Sequence, residues 1–181
     1  MENSVLQTVV LGILLVGALI LLYMMLTEMT NFLQTRVPFV PTAKKDIADM
    51  AKRVGITKDD FVVDLGSGNG KVLFEVEKLT GARTRGLQRA GWTQEYGRLR
   101  KWLTGSKIEL ISGNFFNQSW SDATVVYAYL YPPLMRSVGA KFKEDCKPGT
   151  KLVCRDFYVP EFEVKETWDT PTGHTMYLYL L

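Results

Sequence analysis

Residues 61–71 read FVVDLGSGNGK, an apolar run that ends in a glycine-rich turn and leads into a helical pattern. A short apolar run bounded in this way predicts a buried parallel strand, a tight turn and a helix. Three glycines at alternate positions let the backbone approach a ligand closely, and the free N–H groups at a helix start favour an anionic group. The segment therefore predicts a ligand-binding loop at the carboxyl end of a strand.

Strand and helix patterns alternate along the rest of the chain. Apolar periodicity predicts helices at 43–55, 71–79, 92–103 and 132–144 and strands at 83–88, 107–111, 123–129 and 151–157. Two final strand patterns, at 163–168 and 174–181, flank a turn, which predicts an antiparallel hairpin. We therefore expect an α/β fold with a Rossmann-like, mostly parallel sheet and a terminal antiparallel hairpin. Such sheets bind ligands at the carboxyl ends of their strands.

Three kinds of cofactor use a glycine loop between a strand and a helix. A nucleoside triphosphate loop is excluded because Leu65 occupies its first glycine position and Val72 its Ser or Thr position. A dinucleotide loop is disfavoured because Lys71 replaces its third glycine. The remaining pattern, Asp-x-Gly-x-Gly-x-Gly, is similar to motif I of the class I methyltransferases. The alternative is a tight turn that binds nothing.

The N-terminus carries the pattern of a membrane helix. Residues 5–26 contain no charged side chain, and 22 helical residues span about 33 Å, enough for a hydrocarbon core of about 30 Å. A signal peptide would need a basic start, which this chain lacks, and a buried core helix of this length is unusual. We expect a single-pass anchor at 1–30, a linker and pre-motif helix at 31–57, and a methyltransferase domain at 58–181.

Charge and composition restrict the partners. Basic residues follow the apolar span, beginning with Arg36, Lys44 and Lys45, and none precedes it, so the positive-inside rule places the domain on the cytoplasmic or matrix side of the membrane. The chain has a net charge of +3 and no basic run with interleaved aromatic residues, so we expect no nucleic acid partner. Two cysteines and one histidine lack the spacing of a zinc site, so we expect no metal.

Four segments resemble a small family of membrane-anchored protein lysine methyltransferases. They are VPFVPT at 37–42, DLGSGNG at 64–70, AYLYPP at 128–133 and VCRDF at 153–157. The family includes the mitochondrial enzymes that act on the adenine nucleotide translocase and on the c-ring protein of the ATP synthase. The resemblance implies that the cofactor is S-adenosyl-L-methionine and that the substrate is a lysine side chain of a membrane-embedded protein beside the lipid bilayer. It also implies that the anchor serves access to that substrate.

The resemblance, together with the strand ends, assigns two groups of site residues. The expected cofactor-binding residues are Asp64, Gly66, Ser67, Gly68, Asn69, Gly70, Gln88 and Asn114. The residues expected over the cofactor and target pocket are Pro38, Phe39, Val40, Pro41 and Thr42. Gln88 and Asn114 depart from the family, which usually has acidic residues there, so their hydrogen bonds lack charge assistance. Glu95 is a candidate carboxylate that could reach into the pocket.

The expected catalytic residues are Tyr129, Tyr131 and Pro132, which loosely resemble the loop that holds the target nitrogen in many amine methyltransferases. A lysine amine has a pKa near 10.4, and a desolvated aromatic pocket favours its neutral, nucleophilic form. The alternative is that these tyrosines pack on the sheet and that Pro132 starts a helix. His174 is expected to be a surface or hairpin residue.

Two other functions remain compatible with the sequence. A lipid or quinone-like small molecule could be the methyl acceptor, since the same anchor would serve it. A non-catalytic membrane scaffold could retain the fold without the cofactor, as the neutral residues at positions 88 and 114 allow.

Overall fold

The computed structural model describes residues 2–35 and 40–181. Its helices are α1 (Glu2–Thr35), α2 (Lys44–Val54), α3 (Lys71–Thr80), α4 (Trp92–Thr104) and α5 (Pro132–Asp145). Its strands are β1 (Phe61–Leu65), β2 (Arg83–Gln88), β3 (Glu109–Ser112), β4 (Val125–Ala128), β5 (Lys151–Arg155), β6 (Glu166–Asp169) and β7 (Thr175–Leu180). A short 3-10 turn at Phe115–Asn117 follows β3.

The strands form one sheet in the order β3-β2-β1-β4-β5-β7-β6. Strands β1 to β5 are parallel to their neighbours, whereas β7 is antiparallel to both β5 and β6. The predicted α/β fold with a Rossmann-like sheet and a terminal hairpin is confirmed. The strand order reverses between β1 and β4, and the crevice at such a reversal is where a ligand is expected.

Alternate side chains of β1 pack against helices on opposite faces of the sheet. Val62 joins a cluster with α2 and α3, and Val63 joins a cluster with α5. The predicted apolar face of α2 is confirmed, since its apolar residues at 47, 50, 51 and 54 are all buried. Because β1 is buried on both faces, the loop that follows it starts from a rigid position in the core.

Strand β5 is shorter than the sequence predicts. It ends at Arg155 because Asp156 takes a left-handed conformation with φ of 63°. The Asp156 carboxylate accepts a hydrogen bond from the backbone N–H of Thr175 at 3.3 Å and lies 2.9 Å from His174 Nδ1. This turn directs the residues after β5 toward the carboxyl edge of the sheet.

Helix α1 contains an apolar stretch, Ser4–Leu33, that is long enough to cross a membrane. Its large apolar side chains between residues 5 and 26 are mostly exposed, so the described part of the domain leaves them uncovered. A helix of 34 residues is about 51 Å long, which exceeds the roughly 30 Å of a hydrocarbon core. Its C-terminal part lies against the loop between β2 and α4, where Asn31 Nδ2 donates to the Ala90 carbonyl at 3.4 Å.

Candidate active site

A cavity of about 520 Å³ opens at the carboxyl ends of β1, β2 and β4. This size is typical of a pocket for a small molecule or cofactor. One end is polar and is lined by the glycine loop and by the residues that follow β2 and β3. The other end is aromatic and is lined by Tyr129, Tyr131 and Phe157. The site expected from the sequence therefore corresponds to one continuous cavity.

The glycine loop forms the floor of the polar end. Residues 66–69 all line the cavity, and Gly68 takes φ of 53°, a left-handed conformation that L side chains adopt at a cost. Gly70 does not line the cavity; it lies at the start of α3, where a Cβ would come 3.2 Å from the ring of Phe74. The glycines at 66 and 68 shape the ligand-facing turn, and Gly70 permits close packing of α3.

Asp64 lies beneath this loop at the carboxyl end of β1. It lines the cavity, yet only 3% of the residue is exposed. Burial raises the pKa of its carboxyl group to about 7. The group is thus poised to carry its negative charge only near neutral pH or beside a cation.

The two neutral residues that replace acids both line the cavity. Gln88 Oε1 accepts a hydrogen bond from the backbone N–H of Gly68 at 3.2 Å, which ties the end of β2 to the glycine loop. Asn114 Oδ1 accepts from the backbone N–H of Phe116 at 3.1 Å and so caps the 3-10 turn after β3. In both side chains the amide oxygen already has a protein partner, and the amide nitrogen is the group left to donate to a ligand.

The aromatic end is built around Tyr129. Its ring stacks with Phe157 at 6.5 Å between centroids, and the Arg155 guanidinium lies 4.7 Å from its centre on the ring face. Burial and the neighbouring Asp156 carboxylate raise the pKa of the Tyr129 hydroxyl, so it remains protonated. Tyr131 is half exposed at the mouth.

Pro132, by contrast, is the first residue of α5 and is not among the lining residues of the cavity. Its fixed backbone angle suits the first turn of a helix, which is the packing alternative that the sequence left open.

The segment before α2 closes one side of the cavity. Val40, Pro41 and Thr42 line it, whereas Pro38 and Phe39 lie outside the described residues. Thr42 Oγ1 hydrogen-bonds the Tyr127 hydroxyl at 3.1 Å, and both groups are buried. Burial raises the pKa of that tyrosine well above its usual range, so its hydroxyl stays neutral and holds the segment in place.

Helix α1 contributes two lining residues that the sequence reasoning missed, Glu28 and Asn31. The signal was present, since they are the polar residues at i and i+3 on one face of an apolar helix. Glu95, the carboxylate considered from the sequence, instead forms an ion pair with Arg98 at 2.7 Å, has a half-exposed side chain and is not a lining residue. It starts the outward face of α4, so the suggestion that it enters the pocket is wrong.

The sequence model of a family described as the ANTKMT methyltransferase domain matches residues 64–166. The match begins at Asp64, the first residue of the cavity floor, and extends through the aromatic end into β6. The chain belongs to this family. An ANTKMT methyltransferase domain therefore makes up the part of the chain that carries the cavity.

Individual proteins similar to this chain agree with that assignment. A protein-lysine N-methyltransferase of Saccharolobus islandicus (strain REY15A) is 29% identical over 154 residues, which cover 80% of this chain and 94% of that protein. A lysine N-methyltransferase of Xenopus laevis, named for the c-ring protein of the ATP synthase, is 22% identical over 128 residues, which cover 70% of this chain and 56% of that protein.

Among solved structures, an RNA methyltransferase from Salinibacter ruber in complex with S-adenosyl-L-homocysteine matches with a TM-score of 0.74 and 29% identity. The match covers 78% of this chain and 93% of that chain. Together with the family match, this confirms the predicted S-adenosylmethionine-dependent methyltransferase. The individual roles of the lining residues of this ANTKMT methyltransferase domain are taken up next as proposals.

Proposed function

We propose that this protein transfers a methyl group from S-adenosylmethionine to a lysine side chain of a membrane-embedded protein. The observation that carries the proposal is the two-ended cavity, in which a polar glycine loop is continuous with an aromatic mouth. The S. islandicus relative, whose name states lysine methylation, supports the choice of acceptor.

The polar end fits the cofactor by its donor set. The buried hydroxyls of Ser67 and Thr93 both belong to lining residues, and neither is hydrogen-bonded to any residue that the structure describes. Buried polar atoms without partners cost about 1–3 kcal/mol each, which a polar ligand in the cavity would offset. Asp64 would hold the ammonium group of the cofactor, and the loop N–H groups at 67–69 would hold its carboxylate.

Gln88 and Asn114 would complete this end by donating amide hydrogens toward the ribose and the adenine, respectively. When bound, the cofactor supplies an activated methyl group on a sulfonium. The chain's own contribution is to align that methyl with the incoming amine, because positioning alone accounts for a large part of such rate enhancements.

The aromatic end would prepare the amine. The rings of Tyr129, Tyr131 and Phe157 can hold a lysine ammonium by cation–π attraction. Their apolar surfaces exclude water, which lowers the pKa of the amine and favours its neutral form. The Tyr129 hydroxyl lies beside the Asp156 carboxylate, which is paired in turn with His174. This chain of groups offers the departing proton a path away from the mouth.

Helix α1 would anchor the enzyme in the bilayer as a single-pass span, with the domain on the cytoplasmic or matrix side. The supporting observations are its exposed apolar stretch and the basic residues that follow it. Tethering raises the effective concentration of a membrane substrate to roughly millimolar levels. The X. laevis relative, named for a component of the ATP synthase, agrees with a substrate in a membrane complex.

The full-length protein should label a membrane protein when it is incubated with methyl-tritiated S-adenosylmethionine and whole membranes. We expect one or a few labelled bands on a gel, with methyllysine found in those bands by mass spectrometry. Membranes incubated without the protein are the control. Label that extracts into organic solvent would contradict the proposal in favour of a lipid acceptor. No transfer at all would favour a scaffold.

Replacing Tyr131 with alanine should slow methyl transfer about tenfold, since it removes an aromatic wall worth about 1 kcal/mol to a bound ammonium. The affinity for S-adenosylhomocysteine, measured by calorimetry, should change less than about twofold. Tyr158→Ala is the matched control because Tyr158 is an exposed tyrosine that does not line the cavity. Equal rates for the two variants would remove Tyr131 from the amine site.

A further inference from the structure

The C-terminal part of α1 is held against the loop that follows Gln88. Asn31 Nδ2 lies 3.4 Å from the Ala90 carbonyl, to which it donates. A Cβ built on Gly91 would come 2.8 Å from the same nitrogen and 3.7 Å from Thr27 Cβ. The close approach of α1 therefore needs glycine at position 91, and it brings the polar face of α1 to the carboxyl end of β2.

Glu28 lies on this face and lines the cavity. Its Oε1 atom is buried and has no hydrogen bond to any residue that the structure describes. The hydroxyl of Thr93, in the first turn of α4, lies beside the carboxylate and is buried as well. A carboxylate oxygen without a partner at the wall of a ligand cavity is costly unless a ligand hydroxyl or ammonium donates to it.

The end of β2 lacks a carboxylate of its own. Gln88 stands there, and its Oε1 already accepts the Gly68 N–H. Glu28 and Asp64 are the acidic residues among those that line the cavity, and Asp64 is at the end of β1. Two neighbouring ribose hydroxyls are two donors, and charged acceptors bind such donors roughly twice as strongly as neutral ones.

We propose that Glu28, from the N-terminal helix, binds the ribose hydroxyls of the cofactor in place of an acid at the end of β2. The proposal rests on the proposed function, because it concerns how the same cavity holds S-adenosylmethionine. It makes α1 part of the cofactor site as well as an anchor. The placement of Glu28 beside the β2–α4 loop, rather than beside Tyr129, is what directs it to the cofactor and not to the amine.

The test is calorimetry of the full-length protein in detergent micelles with S-adenosylhomocysteine and with its 2′-deoxyribose analogue. Glu28→Gln should weaken binding of S-adenosylhomocysteine about tenfold. The same substitution should change the affinity for the deoxy analogue by less than about threefold, because a hydroxyl that Glu28 accepts from is missing. Glu95→Gln is the matched control, since it removes the same charge from a neighbouring helix outside the cavity lining, and should leave both affinities unchanged.

A second variant guards against a folding defect. Adding Gln88→Glu to Glu28→Gln returns a carboxylate to the ribose position and should recover most of the lost affinity. In the unaltered background the same change should yield little, because it puts two carboxylates side by side.

Equal losses for both ligands, or no loss, would overturn the ribose assignment while leaving the proposed function intact. Failure of the unaltered chain to bind S-adenosylhomocysteine would contradict the proposed function and this proposal with it.

Discussion

Replacing Gly68 with valine is expected to abolish binding of S-adenosylhomocysteine, with a loss of affinity of more than about 100-fold. Gly68 has φ of 53°, where a β-branched residue is strained, and it lies on the cavity floor. The new side chain would occupy space that the ligand needs. The change also disturbs the loop whose backbone N–H donates to Gln88.

The matched control for Gly68→Val is Gly105→Val. Gly105 ends α4 with φ of 65° and has open space where a Cβ would be. It therefore imposes similar backbone strain far from the cavity. Both variants should lose similar thermal stability by circular dichroism, and only Gly68→Val should lose the ligand. An unchanged affinity in Gly68→Val would remove the glycine loop from the cofactor site.

Replacing Asp64 with asparagine is expected to have two opposite effects, on binding and on stability. Without the carboxylate, the ammonium group of the cofactor loses a charged partner worth about 1.5–3 kcal/mol, so binding should weaken about 10- to 100-fold. In the unaltered protein, binding should strengthen as the pH rises through about 7, because Asp64 becomes ionised there. The variant should lack this dependence.

Stability should change in the other direction. The pKa of Asp64 is raised from 3.8 to about 7 in the folded chain, so its ionised form destabilises the fold. This cost is absent below about pH 4, grows as the pH rises toward 7 and is complete above it, where it reaches about 4 kcal/mol. Asparagine carries no charge and avoids that cost, although its amide still needs partners.

We therefore expect Asp64→Asn to melt about 5 °C higher than the unaltered ligand-free protein at pH 8. The difference should shrink toward pH 5. Asp59→Asn is the control because Asp59 is exposed at the approach to β1, and it should change neither melting nor binding. A variant that melts lower at pH 8 would show that the Asp64 carboxylate stabilises the fold.

Local sequence signals were sufficient for the fold because each one acts over a few residues. The apolar run of β1, the glycines after it and the alternation of helix and strand patterns all describe short-range geometry. They predicted the sheet, the hairpin and the glycine loop at the cavity. Strand β5 was predicted too long because its end depends on Asp156, which turns the chain to meet Thr175 and His174 on another strand.

The cavity residues were predicted where they follow directly from strand ends. Gln88 and Asn114 line the cavity as expected from their positions after β2 and β3. That each amide oxygen is already bound to a backbone N–H could not be deduced, because those partners depend on how neighbouring loops fold back. Pro132 was grouped with the tyrosines by its position in sequence, yet the backbone turns it into the start of α5.

The sequence by itself determined the class of protein: an apolar N-terminal helix, a parallel sheet and the glycine loop of a methyltransferase. These depend on composition and short periodic patterns, which survive translation into any tertiary arrangement. Only the tertiary structure decided which carboxylates face the cavity. It turned Glu95 outward to Arg98 and brought Glu28 inward, because α1 packs across the loop after β2, some 60 residues further along the chain. A contact between residues so far apart has no local pattern, since it is set by the packing of whole elements around one core.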